Sequence, residues 1–319
     1  RLCIIGALSL GSSFVFAQNQ QVRLSGSNLT LKAAFKQIEQ QTKLFVDYNT
    51  QDVNDSRVIK KVPAGDNVKN VLEQLLEGVP FTLAQGSLDT EISDIIYDSR
   101  KAAPGLLFVC IVGTQRDSHE FAADCAAKGV SALVIQHDID LSAMPGVTVV
   151  KVESSRYAMA LMSANLFGNP SRQMTMIGVT GTKGKTTTTH MIKSVLEAAG
   201  RKVGMIGTNG IYFMGRHQET ANTTPESYEL QKTFRQFLDA GCDVALMEVS
   251  SQGLMMDRVA GVHYNVGVFT NLSPDHIGPG EHKTFEEYRS WKGQLFKRCD
   301  VGVVNIDDEN TCLLYTSPS

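Results

Sequence analysis

The chain has little of what marks the specialised protein classes. Its six cysteines, Cys3, Cys110, Cys125, Cys242, Cys299 and Cys312, are too few and too scattered for a disulfide scaffold or a zinc knuckle. Charged residues make up 20% of the sequence and the formal net charge is -3, so no basic excess points to a nucleic-acid partner. No segment reaches the ~18 continuous apolar residues of a confident membrane span. What remains is ordinary: 42% hydrophobic residues in 319, enough to build the cores of two or three domains.

The first residues stand apart. Arg1 precedes an apolar stretch, LCIIGALSLGSSFVFA, that ends on small residues near Ala17. This reads as a secretory signal peptide over residues 1–17, with cleavage after Ala17. Residues 18–85 then read as strand, helix, strand, strand, helix, strand, a small α+β unit. Leu31, Ala34, Phe35 and Ile38 mark its first helix; Val68, Val71, Leu72, Leu75 and Leu76 mark its second. The pattern LTLKAAFKQIEQQTKLFVDYN followed by VPAGDNVKNVLEQLLEGVPFTL resembles the short N-terminal domain of secretins and TonB-dependent receptors. That resemblance implies a periplasmic interaction module.

Beyond this unit, short apolar strands alternate with helices, which predicts an α/β architecture. Residues 88–170 form a smaller α/β domain, closed by a linker at Gly168, Asn169 and Pro170. Residues 171–310 form a central domain with a mostly parallel sheet, whose ligands are expected at the carboxyl ends of its strands. Residues 311–319 make a tail of doubtful origin.

The strongest chemical signal is GVTGTKGKTTT, residues 178–188, between an apolar strand and a helix. A phosphate loop needs this context. Glycines let the backbone turn and aim N–H groups at phosphate oxygens, and the helix N-terminus adds partial positive charge. Lys185 supplies an ammonium to the outer phosphates, and Thr186 offers a hydroxyl to Mg²⁺. The common spacing would put its first glycine at Val179, so the loop is a variant form. Glu248 ends the strand VALME, and Asp275 and His276 follow VGVFTNL, which puts them on the same sheet edge as candidate metal groups.

Six ordered motifs carry a second resemblance: YDSR, GTKGKTTT, NTTPE, MEVSSQGL with a following arginine, FTNLSPDH and EEYRSWKGQLF. Over residues 90–310 they resemble the Mur ligases of peptidoglycan synthesis, in particular those that add the third amino acid of the stem peptide. The resemblance implies an ATP-dependent amide ligase that joins a diamino acid to UDP-N-acetylmuramoyl-L-alanyl-D-glutamate through an acyl phosphate. It implies that Gly181, Thr182, Lys183, Gly184, Lys185, Thr186 and Thr187 hold ATP, and that Thr186, Glu248 and His276 serve Mg²⁺. Ser99, Asn222, Thr223, Thr224, Ser250 and Arg258 would bind the UDP-linked substrate. Lys292 matches a lysine that the family carbamylates, which turns a cation into a metal ligand. Lys185, Lys292 and His276 are the implied catalytic groups. Three departures stand out: Met256 where relatives often have glutamine, Ser118 in QRDSHEF where they usually have glycine, and the segment GPGEHKT before Lys292.

The two resemblances conflict in compartment, because ATP and UDP-linked precursors are cytoplasmic and a signal peptide exports. The expectation drawn from this is a chimaeric chain, joined near residues 85–90, with an interaction module fused to a ligase part. That part stops before the family's third domain, and the chain is expected to bind ATP poorly and ligate nothing.

Overall fold

The computed structural model describes residues 70–113 and 116–310. The chain divides into two compact units, 1–69 and 70–319, and every described residue lies in the second. The readings of residues 1–17, 18–69 and 311–319 therefore fall outside the described residues.

The second unit begins with a lobe built on five strands. In chain order its opening elements are β1 (Asn70–Val71), α1 (Leu72–Leu75), β2 (Phe81–Gln85), β3 (Glu91–Ile92), β4 (Asp94–Ile96), β5 (Leu106–Val109), α2 (Ala122–Ala127), β6 (Ala132–Ile135), β7 (Thr148–Val152) and α3 (Ser155–Leu166). The main sheet has the order β2-β7-β6-β5-β4. All its pairs are parallel except β2 with β7, where Phe81 lies opposite Val152. Leu72, Leu75, Leu76 and Val79 are buried in one core with Ile95, Leu107, Val150 and Met159. The Asn165 side-chain amide on α3 donates to the carbonyls of Leu75 and Glu77, both at 2.9 Å.

This corrects the boundary expected between residues 85 and 90. That boundary would cut β2 away from the sheet it completes. Amphipathic spacing in residues 68–76 states that one face is buried, but not against what. The helix and strand read as the end of the small unit instead close the core of the next one.

The central lobe continues with β8 (Thr175–Thr180), α4 (Lys185–Ala198), β9 (Val203–Gly207), β10 (Gly210–Phe213), β11 (Arg216–Gln218), α5 (Ser227–Asp239), β12 (Val244–Glu248), α6 (Ser251–Met255), β13 (Tyr264–Phe269), α7 (Phe285–Gly293) and β14 (Cys299–Val304). Its sheet has the order β11-β10-β9-β12-β8-β13-β14. The five strands β8, β9, β12, β13 and β14 run parallel, as expected. The hairpin of β10 and β11 adds an antiparallel edge that the sequence reading did not anticipate. The central strands are apolar on both faces because both are covered. Ala245 and Met247 face a core with Phe234 and Phe237 of α5. Val244 and Leu246 alternate to the other face, with Ile192 and Leu196 of α4.

The two lobes meet through α3 and α5. The Tyr228 hydroxyl sits 2.9 Å from both carboxylate oxygens of Asp94. Arg156 on α3 pairs with Glu226 at 3.3 Å.

A chain beginning at Asn70 is expected to keep the cooperative urea unfolding of the second unit, whereas one beginning at Leu88 should lose it. In the full chain Leu75→Ala should cost about 2–5 kcal/mol by cavity formation. Circular dichroism during urea titration measures all three.

Candidate active site at the carboxyl ends of the central strands

Register brings the functional segments together. Thr180 of β8 lies opposite Phe269 of β13, and Glu248 of β12 lies opposite Val179. The segments leaving β8, β9, β12 and β13 therefore emerge side by side. A cleft of about 420 Å³ opens among them. Thr182, Gly184, Lys185 and Thr186 line it from the loop after β8, and Asn222, Thr223 and Thr224 from the segment before α5. Glu248, Ser250, Arg258 and His276 complete it.

The loop is held from below by the segment after β13. The backbone N–H of Thr182 donates to the Asn271 carbonyl at 2.8 Å, and that of Lys183 to Asn271 Oδ1 at 2.9 Å. Thr270 Oγ1 and Asn271 Nδ2 return bonds to the Lys183 carbonyl at 2.8 and 3.0 Å. Gly184 caps α4 at φ +81°, a conformation only glycine adopts cheaply.

Two lysines converge beneath the loop. Lys185 Nζ donates to the Gly181 carbonyl at 2.9 Å and to that of Thr182 at 3.1 Å. Lys292 Nζ, from α7, donates to the same Gly181 oxygen at 2.8 Å. Lys292 is 2% exposed and lies over the Tyr288 ring at 4.5 Å. The Tyr288 hydroxyl in turn meets Thr182 Oγ1 at 3.1 Å. Burial, helped by the Lys185 charge and opposed by Asp275, pushes the Lys292 ammonium down to about 7. Burial lowers Lys185 too, against the opposing pull of Glu248 and Asp275.

Glu248 is 1% exposed. Its Oε1 accepts from the Thr208 backbone N–H at 3.1 Å, and its Oε2 from the Thr208 hydroxyl at 3.2 Å. Each oxygen keeps a lone pair, which suits a hard divalent cation. Gly207 leaves room for this carboxylate: a Cβ there would lie 2.2 Å from Glu248 Oε1. His276 has Nδ1 3.0 Å from Glu281. An N–H donated to that carboxylate leaves Nε2 with its lone pair, the usual posture of a metal-binding histidine. Thr186, Glu248 and His276 all line the cleft, so a hydroxyl, a carboxylate and an imidazole with free lone pairs face the same space. Lys292 as an ammonium has no lone pair to offer.

Residues of the facing wall of the cleft are tied to the backbone of the same glutamate. Thr224 Oγ1 donates to the Glu248 carbonyl at 3.0 Å and accepts from the Ser250 N–H at 3.0 Å. Arg258 Nη1 donates to the Thr224 carbonyl at 3.1 Å, and Nη2 pairs with Glu226 at 2.8 Å. Met256, at the position where relatives often have glutamine, gives Arg258 only a sulfur contact at 3.8 Å, and the arginine Nε is buried with no partner among the described residues.

Not every expected residue joins the cleft. Ser99 sits on a 3₁₀ turn in the first lobe, where its carbonyl accepts from Lys128 at 3.1 Å. Thr187 lies inside α4, and Lys183 points its backbone toward Asn271. Four lining residues were missed: Thr208, Ala221, Ser251 and Gln252. Thr208 ends no motif, so only the neighbouring strand reveals it. Ser118 donates to the Ile111 carbonyl at 2.9 Å and so ties down its own loop.

Asp117, His119 and His137 cluster in the first lobe at metal-like spacing. His119 Nε2 accepts the Gln136 backbone N–H at 2.9 Å, so the ring proton sits on Nδ1, facing Asp117. A cation there would need that same nitrogen bare. The group is a hydrogen-bonded triad.

Comparison with known proteins finds similarity to Mur ligases. Residues 179–317 match the Mur ligase middle domain. A UDP-N-acetylmuramoyl-L-alanyl-D-glutamate--2,6-diaminopimelate ligase of Clostridium perfringens is 42% identical over 238 residues, 75% of this chain and 48% of the relative. The enzyme of the same name from Clostridium botulinum is 48% identical over 219 residues, 68% of this chain and 45% of the relative. The chain thus spans about half the length of these relatives. A solved structure of a ligase of this name superposes with a TM-score of 0.66 at 24% identity, covering 78% of this chain and 50% of that one. MurF from Acinetobacter baumannii gives 0.52 at 22%, covering 79% of this chain and 51% of its own, and both share the fold.

Lys292 supplies a pH test. It binds its proton with a folded value of about 7, against 10.5 for an ordinary lysine. Between these values the unfolded chain holds more protons, so this group makes stability rise with pH. Below about 7 both states are protonated and the rise stops. Urea midpoints across that window should climb in the parent chain and flatten in Lys292→Met. Separately, Gly207→Ala should displace Glu248 and destabilise by about 1–3 kcal/mol through overpacking, read in the same urea experiment.

Proposed function

We propose that the chain carries the ATP and substrate sites of an amide ligase, a reading supported by the match of residues 179–317 to the Mur ligase middle domain. The ligase joins a diamino acid to UDP-N-acetylmuramoyl-L-alanyl-D-glutamate. The names of the relatives support 2,6-diaminopimelate as that amino acid. The carrying observation is a single cleft lined on one side by Lys185 and Thr186 and on the other by Asn222, Thr223, Thr224, Ser250 and Arg258.

The chemistry follows from a poor electrophile. A carboxylate resists amines until one of its oxygens is turned into a leaving group. The D-glutamate side-chain carboxylate attacks the γ-phosphorus of ATP, the bond to ADP breaks, and an acyl phosphate forms. The amine of the diamino acid attacks the acyl carbon, phosphate departs with the former carboxyl oxygen, and the nitrogen gives up a proton. Lys185 and the N–H groups of the first turn of α4, Lys185 to Thr187, stabilise charge on the transferring phosphoryl group. Mg²⁺, when bound by Thr186, Glu248 and His276, supplies charge neutralisation for the phosphate oxygens. Arg258 and Ser250 hold the muramoyl-peptide end, and Ser99 in the first lobe serves the uridine end. These substrates are cytoplasmic, so the reading puts the reaction there. Among the described residues no helix is long and apolar enough to cross a membrane.

The depressed ammonium of Lys292 supports its conversion to a carbamate. Near neutral pH much of the amine is unprotonated. Its nitrogen attacks the carbon of dissolved carbon dioxide, loses a proton and becomes a carboxylate-like oxygen donor. Lys185 beside it favours the resulting negative charge.

Calorimetric titration should show Mg²⁺-dependent ATP binding that falls at least tenfold in Lys185→Ala, consistent with loss of a charge-assisted contact of about 1.5–3 kcal/mol. Binding of UDP-N-acetylmuramoyl-L-alanyl-D-glutamate should fall in Arg258→Ala. A chain that takes up neither ligand sinks the proposal. Labelled bicarbonate should give a carbamate carbon resonance that Lys292→Arg removes.

A further inference from the structure

His282 and Ser251 lie outside the roles assigned so far. His282 is fully buried between the loop after β13 and α6. Its backbone N–H donates to the His276 carbonyl at 3.1 Å, and its carbonyl accepts from Gly278 at 3.1 Å. Its ring packs against Tyr288 at 5.3 Å. The ring makes one side-chain hydrogen bond, from Nε2 to Ser251 Oγ at 2.8 Å. Nδ1 is buried with no partner among the described residues. Ser251, the first residue of α6, is 2% exposed and still lines the cleft.

The orphaned nitrogen decides the direction of that bond. A neutral imidazole carries one N–H. If the proton sat on Nδ1, an unpaired N–H would be buried, which folded proteins rarely tolerate; an unpaired acceptor is less rare. A doubly protonated ring would bury the same unpaired N–H together with a charge. The proton therefore sits on Nε2, and His282 donates to Ser251. The Ser251 oxygen is then committed as an acceptor, and its own O–H remains to be donated. Among the described residues no other hydrogen bond reaches that hydroxyl, and the open side of Ser251 is the cleft.

We propose that Ser251 donates a hydrogen bond to a carbonyl or carboxylate oxygen of the peptide end of the substrate, and that His282 is the positioning residue that imposes this polarity. The inference rests on the proposed function, in which this cleft takes the nucleotide-linked dipeptide. It also separates the pair from a Ser–His nucleophile: a protonated Nε2 cannot accept the serine proton, so no acyl-enzyme forms here. His282 further links two walls of the cleft, because its backbone holds the His276 loop while its ring holds α6.

Two measurements on the full chain test this. Nitrogen NMR of the histidine rings reads the tautomer, with His282→Gln identifying the signal. A protonated Nε2 and bare Nδ1 are expected; a proton on Nδ1 overturns the inference whatever the chain binds. Calorimetry with UDP-N-acetylmuramoyl-L-alanyl-D-glutamate then reads the donor. Ser251→Ala should weaken binding about tenfold while leaving ATP affinity unchanged. His282→Phe should behave like Ser251→Ala. His282→Gln, whose amide still donates to Ser251, should recover most of the affinity. Unchanged dipeptide affinity in Ser251→Ala, or an equal loss for ATP, overturns the donor role. A parent chain that ignores the dipeptide overturns the proposed function and the donor role with it, while the tautomer stands as measured.

Discussion

Two lysine amines on one carbonyl oxygen, Lys292 buried and Lys185 half-buried at the cleft, set the terms for the rest of this site. Lys185 and Lys292 come from different helices and meet at Gly181. Their mutual repulsion acts in surroundings that screen it poorly. The Gly181 and Thr182 carbonyls point inward to the lysines, the Thr182 and Lys183 N–H groups are held by Asn271, and the N–H groups of the first turn of α4 are left uncommitted. Asp275 and Glu248 supply the nearby negative charge. The mutual repulsion is relieved when an anion arrives or when one amine loses its proton.

The same constraint reaches the substrate side through Glu248. Its carboxylate takes two bonds from Thr208, and its backbone carbonyl takes one from Thr224. Thr224 aligns Ser250 and Arg258. Arg258 shares Glu226 with Arg156 of the first lobe. A continuous set of charged and hydroxyl groups thus runs from Glu248 to the α3–α5 lobe interface. Breaking it in the middle leaves buried charge without a partner, the costliest kind of loss in such a network.

Much of this was legible in residue order. The strand–loop–helix around Lys185, the strand-ending Glu248 and the DH pair at Asp275 and His276 announce their positions through local pattern. The bounds of α3, α4 and the parallel strands follow the apolar periodicity closely. Thr208 and Ser251 were not legible, because each matters through a partner far away in sequence. Nor was the membership of residues 70–85: Leu72 and Leu75 show a buried face, and only the pairing of β2 with β7 shows which core they fill.

By itself the sequence determined the alternation of strands and helices, the phosphate loop and the identity of the groups that could carry charge. These depend on local backbone geometry and periodicity, which short segments specify. Tertiary structure alone decided that Lys292 lies under the loop beside Lys185, that Ser99 sits away from the cleft, and that His282 turns Ser251 toward it. Those outcomes depend on burial and on long-range hydrogen bonds, which arise only when distant segments share one sheet edge.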